Sequence, residues 1–84
     1  MLVLGAEADL VARALAGLPG DGTAIVLDAS AERLEALRAT CSDARVWYAI
    51  GEQQVIPLPD GSVDGVVGEV DPSASSELAR VLVM

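Results

Sequence analysis

Leu2-Val3-Leu4, running straight into Gly5-Ala6-Glu7-Ala8-Asp9, is the stretch on which the fold turns. A short apolar run that stops at a glycine and passes at once into a helical pattern reads as a buried parallel strand feeding a βα turn. In open α/β sheets such turns bind ligands. The glycine permits a tight reversal, and the helix N-terminus behind it presents free N–H groups and the positive end of its dipole to an anionic or polar group. Gly5 is therefore the first candidate binding residue. A dinucleotide fingerprint wants G-x-G-x-x-G here, whereas this sequence supplies one glycine and then carboxylates at Glu7 and Asp9.

Working outward, Leu10, Val11, Ala14, Leu15 and Leu18 recur at helical spacing over Ala6 to Leu18, and Gly17-Leu18-Pro19-Gly20 offers a left-handed cap and a stop. Asp21-Gly22 turns the chain into Thr23 to Asp28, a second strand closed by an acid. Ser30 is placed to cap a helix over Ala31 to Cys41, with Leu34, Leu37 and Cys41 as its apolar line and Glu35 within reach of Arg38. Arg45 to Ile50 forms a third strand, with Val46, Tyr48 and Ile50 facing one way and Trp47 and Ala49 the other. From Gly51 the pattern breaks, because Pro57, Pro59 and Asp60-Gly61 mark a loop with a tight turn. A fourth strand spans Val63 to Val70. Asp71-Pro72 then reads as an N-cap with proline at the first helical position, opening a helix from about Ser73 to Leu82. Strands and helices alternating at this spacing require a parallel sheet with right-handed crossovers.

Composition narrows the function classes. Five basic residues against 13 acidic ones leave a net charge of −8, which argues against nucleic acid or anionic lipid as a partner. No apolar run approaches the roughly 20 residues of a bilayer span, and Met1 enters the first strand with no basic leader or small-residue cleavage site before it. With no histidine the commonest general base and metal ligand is absent. The single cysteine, Cys41, excludes an internal disulfide and a cysteine metal cluster, so the cytoplasm is the default compartment. Cys41 reads as a small buried hydrophobe, and Trp47 and Tyr48, the only aromatic residues, as core-filling side chains. Asp60 belongs to a turn and Asp64 to a strand start, so they make no general acid/base pair.

Val55-Ile56-Pro57-Leu58-Pro59-Asp60-Gly61-Ser62-Val63-Asp64-Gly65-Val66-Val67 resembles the loop and fourth strand of class I S-adenosylmethionine-dependent methyltransferases, where L-P-F-P-D-x-S-F-D-x-V is common. Leu2 to Asp9 is similar to that family's glycine-rich first motif and Ile25 to Ser30 to its second strand ending in an acid. Glu77-Leu78-Ala79-Arg80-Val81-Leu82 is similar to the end of the helix before its fifth strand. The resemblance covers residues 1–84 and corresponds to the N-terminal part of a methyltransferase domain. It implies a single truncated α/β domain: a three-layer, Rossmann-like half-domain whose parallel sheet of about four strands runs in the order 3-2-1-4, with the first strand central and helices on the faces.

The same resemblance assigns a cofactor site. Asp28 matches the acid that holds the ribose hydroxyls, and its spacing from Gly5 is close to the roughly 20 residues of a nucleotide-binding unit. As a strand-end acid it can equally bond the following turn. Glu52 occupies the place of the residue that accepts from the adenine amino group, although Gly51-Glu52-Gln53-Gln54 is also an ordinary polar loop. The first motif departs from the family's [DE]-x-G-x-G-x-G: only Gly5 remains, and two uncompensated carboxylates, Glu7 and Asp9, would each cost on the order of 1 kcal/mol or more against the ligand's own carboxylate. As helix N-terminal acids they favour the dipole instead.

The expectation is thus a methyltransferase-like module whose hold on S-adenosylmethionine is weak or lost and which acts as a structural or interaction subunit. It has no assigned catalytic residue and no metal site. The alternative is the cofactor-binding part of a methyltransferase completed by another segment or chain, since the strands that would wall an acceptor pocket do not occur before Met84. The strand at 63–70, lying at the sheet edge with unpaired backbone groups, would recruit a second copy or a heterologous protein, unless the last helix folds over it.

Overall fold

In the computed structural model, which describes residues 1–20 and 22–82, the opening apolar run is a strand, β1 (Leu2–Leu4), buried on both faces. Alternation along it sorts its side chains into two cores. Leu2 and Leu4 belong to one, with Leu27, Ile56, Val63, Leu78 and Val81. Val3 belongs to the other, with Val11, Ala14, Val26, Leu34 and Leu37. The other strands are β2 (Ala24–Asp28), β3 (Val46–Ile50) and β4 (Val66–Gly68), and the helices are α1 (Ala8–Ala16), α2 (Ala31–Thr40) and α3 (Ser75–Val81), the last entered through a 3-10 turn at Pro72–Ala74. All pairings are parallel, in the order β3-β2-β1-β4. The expected three-layer α/β half-domain with a central first strand is therefore the observed one: α1 and α2 cover one face, and α3 with the 51–65 loop covers part of the other.

Local chemistry explains where the elements begin and end. α1 starts at Ala8 rather than Ala6, because Gly5 takes φ +119° and Glu7 is still extended as the N-cap. Its end is not left-handed: Gly17 stays in the right-handed region and its N–H bonds to Ala14 O at 3.1 Å, a tightened last turn that Pro19 follows. Asp21, the first residue of the expected Asp21-Gly22 turn, lies outside the described residues, as does Met84. Ser30 caps α2 as read, its Oγ accepting from Arg33 N at 3.2 Å, while Cys41 is the extended residue after the helix. Asp71 caps the last helical segment, its carboxylate accepting from Ser73 N.

The fourth strand is shorter than the expected 63–70. Val63 is diverted to the far side of the segment, donating to Val81 O at 2.9 Å and bridging Leu82. At the other end Gly68 turns to φ +119°, and the chain beyond it is held by Gln53, which donates to Glu69 O and accepts from Asp71 N. β4 nevertheless lies at the sheet edge, as expected.

Trp47 corrects another expectation. It is 63% exposed, because the connection from β3 to β4 has no helix to lay over that part of the sheet. Tyr48, on the opposite face, does pack against the α1/α2 core.

The helix-free 51–65 connection is held down by one cation. Arg80 donates to Ile56 O, Leu58 O (both 2.9 Å) and Asp60 (2.7 Å) and also pairs with Glu77, which in turn accepts from Ile56 N at 2.7 Å. The Arg80 guanidinium, with the Ile56 N–H, holds the Glu77 carboxyl below its ordinary range. Arg80→Met keeps an apolar stem but loses these donors. The expected result is faster hydrogen exchange at Ile56 with little change at Val26 in the core; equal protection of Ile56 in both proteins would show that the loop holds itself.

Candidate functional site

In a sheet of this order the strand sequence reverses between β1 and β4, and ligands in open α/β sheets bind in the crevice at the carboxyl ends there. β1 is followed by Gly5 and β4 ends on Gly68, both glycines with φ +119°. At Gly5 a Cβ would find only Leu10 Cδ1, at 4.0 Å, so the turn leaves open space; at Gly68 it would stand 2.9 Å from Leu4 O.

Gly5, Asp28 and Glu52, the three residues singled out in the sequence, line one cleft of about 270 Å³, together with Gln53, Gln54 and Asp71. Their positions follow from the topology: Gly5 and Asp28 end adjacent parallel strands, and Glu52 follows the end of β3 beside them. Gln54 donates to Asp71 and to Ser73 Oγ, so the loop after β3 is tied to the loop after β4 across the cleft mouth. Nothing in the sequence linked these two loops, because the bonds join residues far apart along the chain. Glu52 is exposed and pairs only through its backbone with Val55.

Asp28 is the most constrained group in the site. Its side chain is 8% exposed. One carboxylate oxygen accepts from Ala6 N at 2.9 Å and the other from Ser30 N at 2.8 Å, and Arg33 stands 3.5 Å away. Burial alone would raise its pKa; the two N–H donors and the guanidinium together outweigh burial and lower it. The carboxylate is therefore ionised and internally satisfied. It ties the Gly5-Ala6 turn to the turn that starts α2.

Arg33 also lies 3.9 Å from Glu7. Glu7 is thus not the uncompensated charge it was expected to be, although both side chains are solvent-exposed and such a pair is weak. Arg33 was not legible as a site residue, since its neighbours come from three different elements. It lines a second opening on the other side of Gly5, about 490 Å³, with Glu7, Arg13, Gly68 and Glu69. Asp60 pairs with Arg80 and Asp64 with the N-terminal ammonium, each on its own part of the chain. Among the described residues no cluster of histidine, cysteine or acidic side chains is arranged to hold a metal ion, and no helix is long and apolar enough to cross a membrane.

No family model matches the chain, and no curated protein does either. The open backbone at Gly5 and the free carboxylate of Glu52 suit a nucleoside. At Asp28 each carboxylate oxygen already accepts one backbone N–H, so a ribose hydroxyl would find only the remaining lone pairs of a side chain that is 8% exposed.

Proposed function

We propose that this chain is a methyltransferase-like half-domain that serves as a structural or interaction subunit and holds S-adenosylmethionine weakly or not at all. One observation carries the reading: both oxygens of Asp28 are engaged by backbone N–H groups of the fold itself. A residue that orders two turns serves the scaffold, and its side chain, 8% exposed, offers a ligand only the lone pairs that Ala6 N and Ser30 N leave. The interaction surface we assign to β4 is its outer rim, where a strand of a heterologous protein can add to the sheet. The lone cysteine and net charge of −8 suit a cytoplasmic protein that binds neither nucleic acid nor anionic lipid.

A second reading is favoured by the convergence of Gly5, Asp28 and Glu52 on one cleft. In it the chain is the S-adenosylmethionine-binding part of a methyltransferase completed by another segment or chain. Calorimetric titration with S-adenosylmethionine separates the two. The expected result is no saturable heat below the millimolar range, about −4 kcal/mol. A dissociation constant in the low micromolar range, about −8 kcal/mol, abolished by Glu52→Ala without loss of folding, would overturn the first reading and establish the second.

A further inference from the structure

The opposite edge of the sheet is β3. We infer that β3 pairs antiparallel with β3 of a second copy of this chain, forming a two-fold dimer with one continuous sheet. The inference does not depend on how the cleft or the β4 rim is used.

Backbone polarity defines the free edge. Arg45 O accepts from Ala24 N at 2.9 Å, and Gly51 N donates to Asp28 O at 3.1 Å. In a parallel ladder alternate residues point to the same neighbour, so residues 45, 47, 49 and 51 face β2. The N–H and C=O groups of Val46, Tyr48 and Ile50 consequently point away from the sheet. Val46 N is taken up by Asp43 O at 3.2 Å; among the described residues no other backbone group bonds to that rim.

A two-fold axis at Tyr48 makes this rim self-complementary. Tyr48 then exchanges its N–H and C=O with its own copy, and Ile50 N meets Val46 O of the other chain. Trp47 falls opposite Ala49 in a non-hydrogen-bonded pair, the arrangement in which facing side chains come closest. A bulky residue thus lies against a small one on the same face, twice, as an isologous contact requires. That face is the part of the sheet no helix covers: Trp47 is 63% exposed and borders a shallow apolar groove with Ile25, Ala49 and Leu58. Joining two copies makes the two grooves continuous.

Each copy carries a net charge of −8, but none of it lies in the contact strand. Val46 to Ile50 carries no charged side chain, and there is no proline or lysine in it to guard the edge. Arg45, just before the strand and held on Asp43 at 2.8 Å, comes opposite Gly51 and beside the exposed Glu52 of the other copy. By comparison β4 is three residues long, ends in Gly68 and is followed by Glu69, and so offers less to a second copy.

Sedimentation equilibrium of the chain, with the emission of its only tryptophan followed on dilution, tests the inference. A dimer at tens of micromolar is expected, with Trp47 emission shifting to the red as the dimer dissociates. Ile50→Pro removes an N–H that points only outward, and should leave a folded monomer by circular dichroism. Trp47→Lys, at an exposed position, should weaken association at least about tenfold. Val66→Pro, which blunts the β4 edge, should leave the dimer unchanged. A wild type that stays monomeric at tens of micromolar, dimers unaffected by both β3 substitutions, or a dimer lost on Val66→Pro would each overturn it.

Discussion

Gly68→Ala should destabilise the fold by about 3 kcal/mol or more, with Gly5→Ala costing about half as much. Both glycines have φ +119°, a conformation that costs an L-residue about 1–3 kcal/mol. They differ in what a Cβ would meet. At Gly68 it would lie 2.9 Å from Leu4 O, 3.1 Å from Leu4 Cβ and 3.3 Å from Leu4 N. That neighbour is backbone of the central strand and cannot step aside, because Leu4 is paired on its other side with Leu27. Overpacking of this kind adds about 1–3 kcal/mol. At Gly5 the nearest atom is a leucine methyl at 4.0 Å, which leaves the backbone cost alone. Gly20, with open space around it and no positive φ, is the control and should tolerate alanine. Thermal or urea unfolding gives the order directly. If Gly68→Ala and Gly5→Ala cost the same, the close approach of β4 to Leu4 contributes nothing, and the pairing of these strands at their carboxyl ends would have to be looser than described.

The contrast between these two glycines shows what a sequence can and cannot disclose. Gly5 was legible because it ends an apolar run and precedes a helix, all within nine residues. Gly68 lay inside the expected 63–70 strand; its role depends on which residue of β1 lies beside it, Leu4, and register between strands is a property of the whole sheet. The same division runs through the rest of the chain. Ser30 and Asp71 were readable as caps since a cap acts on the N–H two or three residues ahead. The length of β4 was not, because Val63 is claimed by Val81 and Leu82 from the far end of the sequence. Trp47 was placed inside because large aromatics usually are, but burial requires something to lie over the residue, and periodicity does not say whether a connecting loop will do so. The convergence of Gly5, Asp28 and Glu52 follows from strand order, which the resemblance of residues 55–67 supplied. The engagement of Asp28 by Ala6, Ser30 and Arg33 was open in the sequence and is settled by geometry.

Asp28→Ala should therefore cost about 2 kcal/mol or more of stability at neutral pH, with no ligand present. The substitution removes the acceptor for two N–H groups, Ala6 and Ser30, and leaves Arg33 without that partner. Each partly buried donor left unsatisfied costs about 1–3 kcal/mol, reduced here where the cleft admits water. The pH dependence identifies the cause. In the folded chain the Asp28 pKa lies below its ordinary value of 3.8, so unfolding binds a proton and stability rises with pH across that window. The carboxylate's contribution is present in full above about pH 5 and is lost as pH falls through the lowered folded-state pKa. Wild type and Asp28→Ala should differ most in melting temperature near neutrality and converge in acid. Asp43, at about 2 through its bonds to Arg45, and Glu77, lowered by Arg80 and Ile56 N, titrate on the same side, so the variant keeps an acid limb of its own. Asp28→Asn restores the shape and one acceptor oxygen but turns an amide N–H₂ toward a backbone donor, so it should recover less than half of the loss. Full recovery by asparagine, or a difference between wild type and Asp28→Ala that does not vary with pH, would mean that the Asp28 side chain fills space at the strand end and that its charge plays no part in holding the two turns.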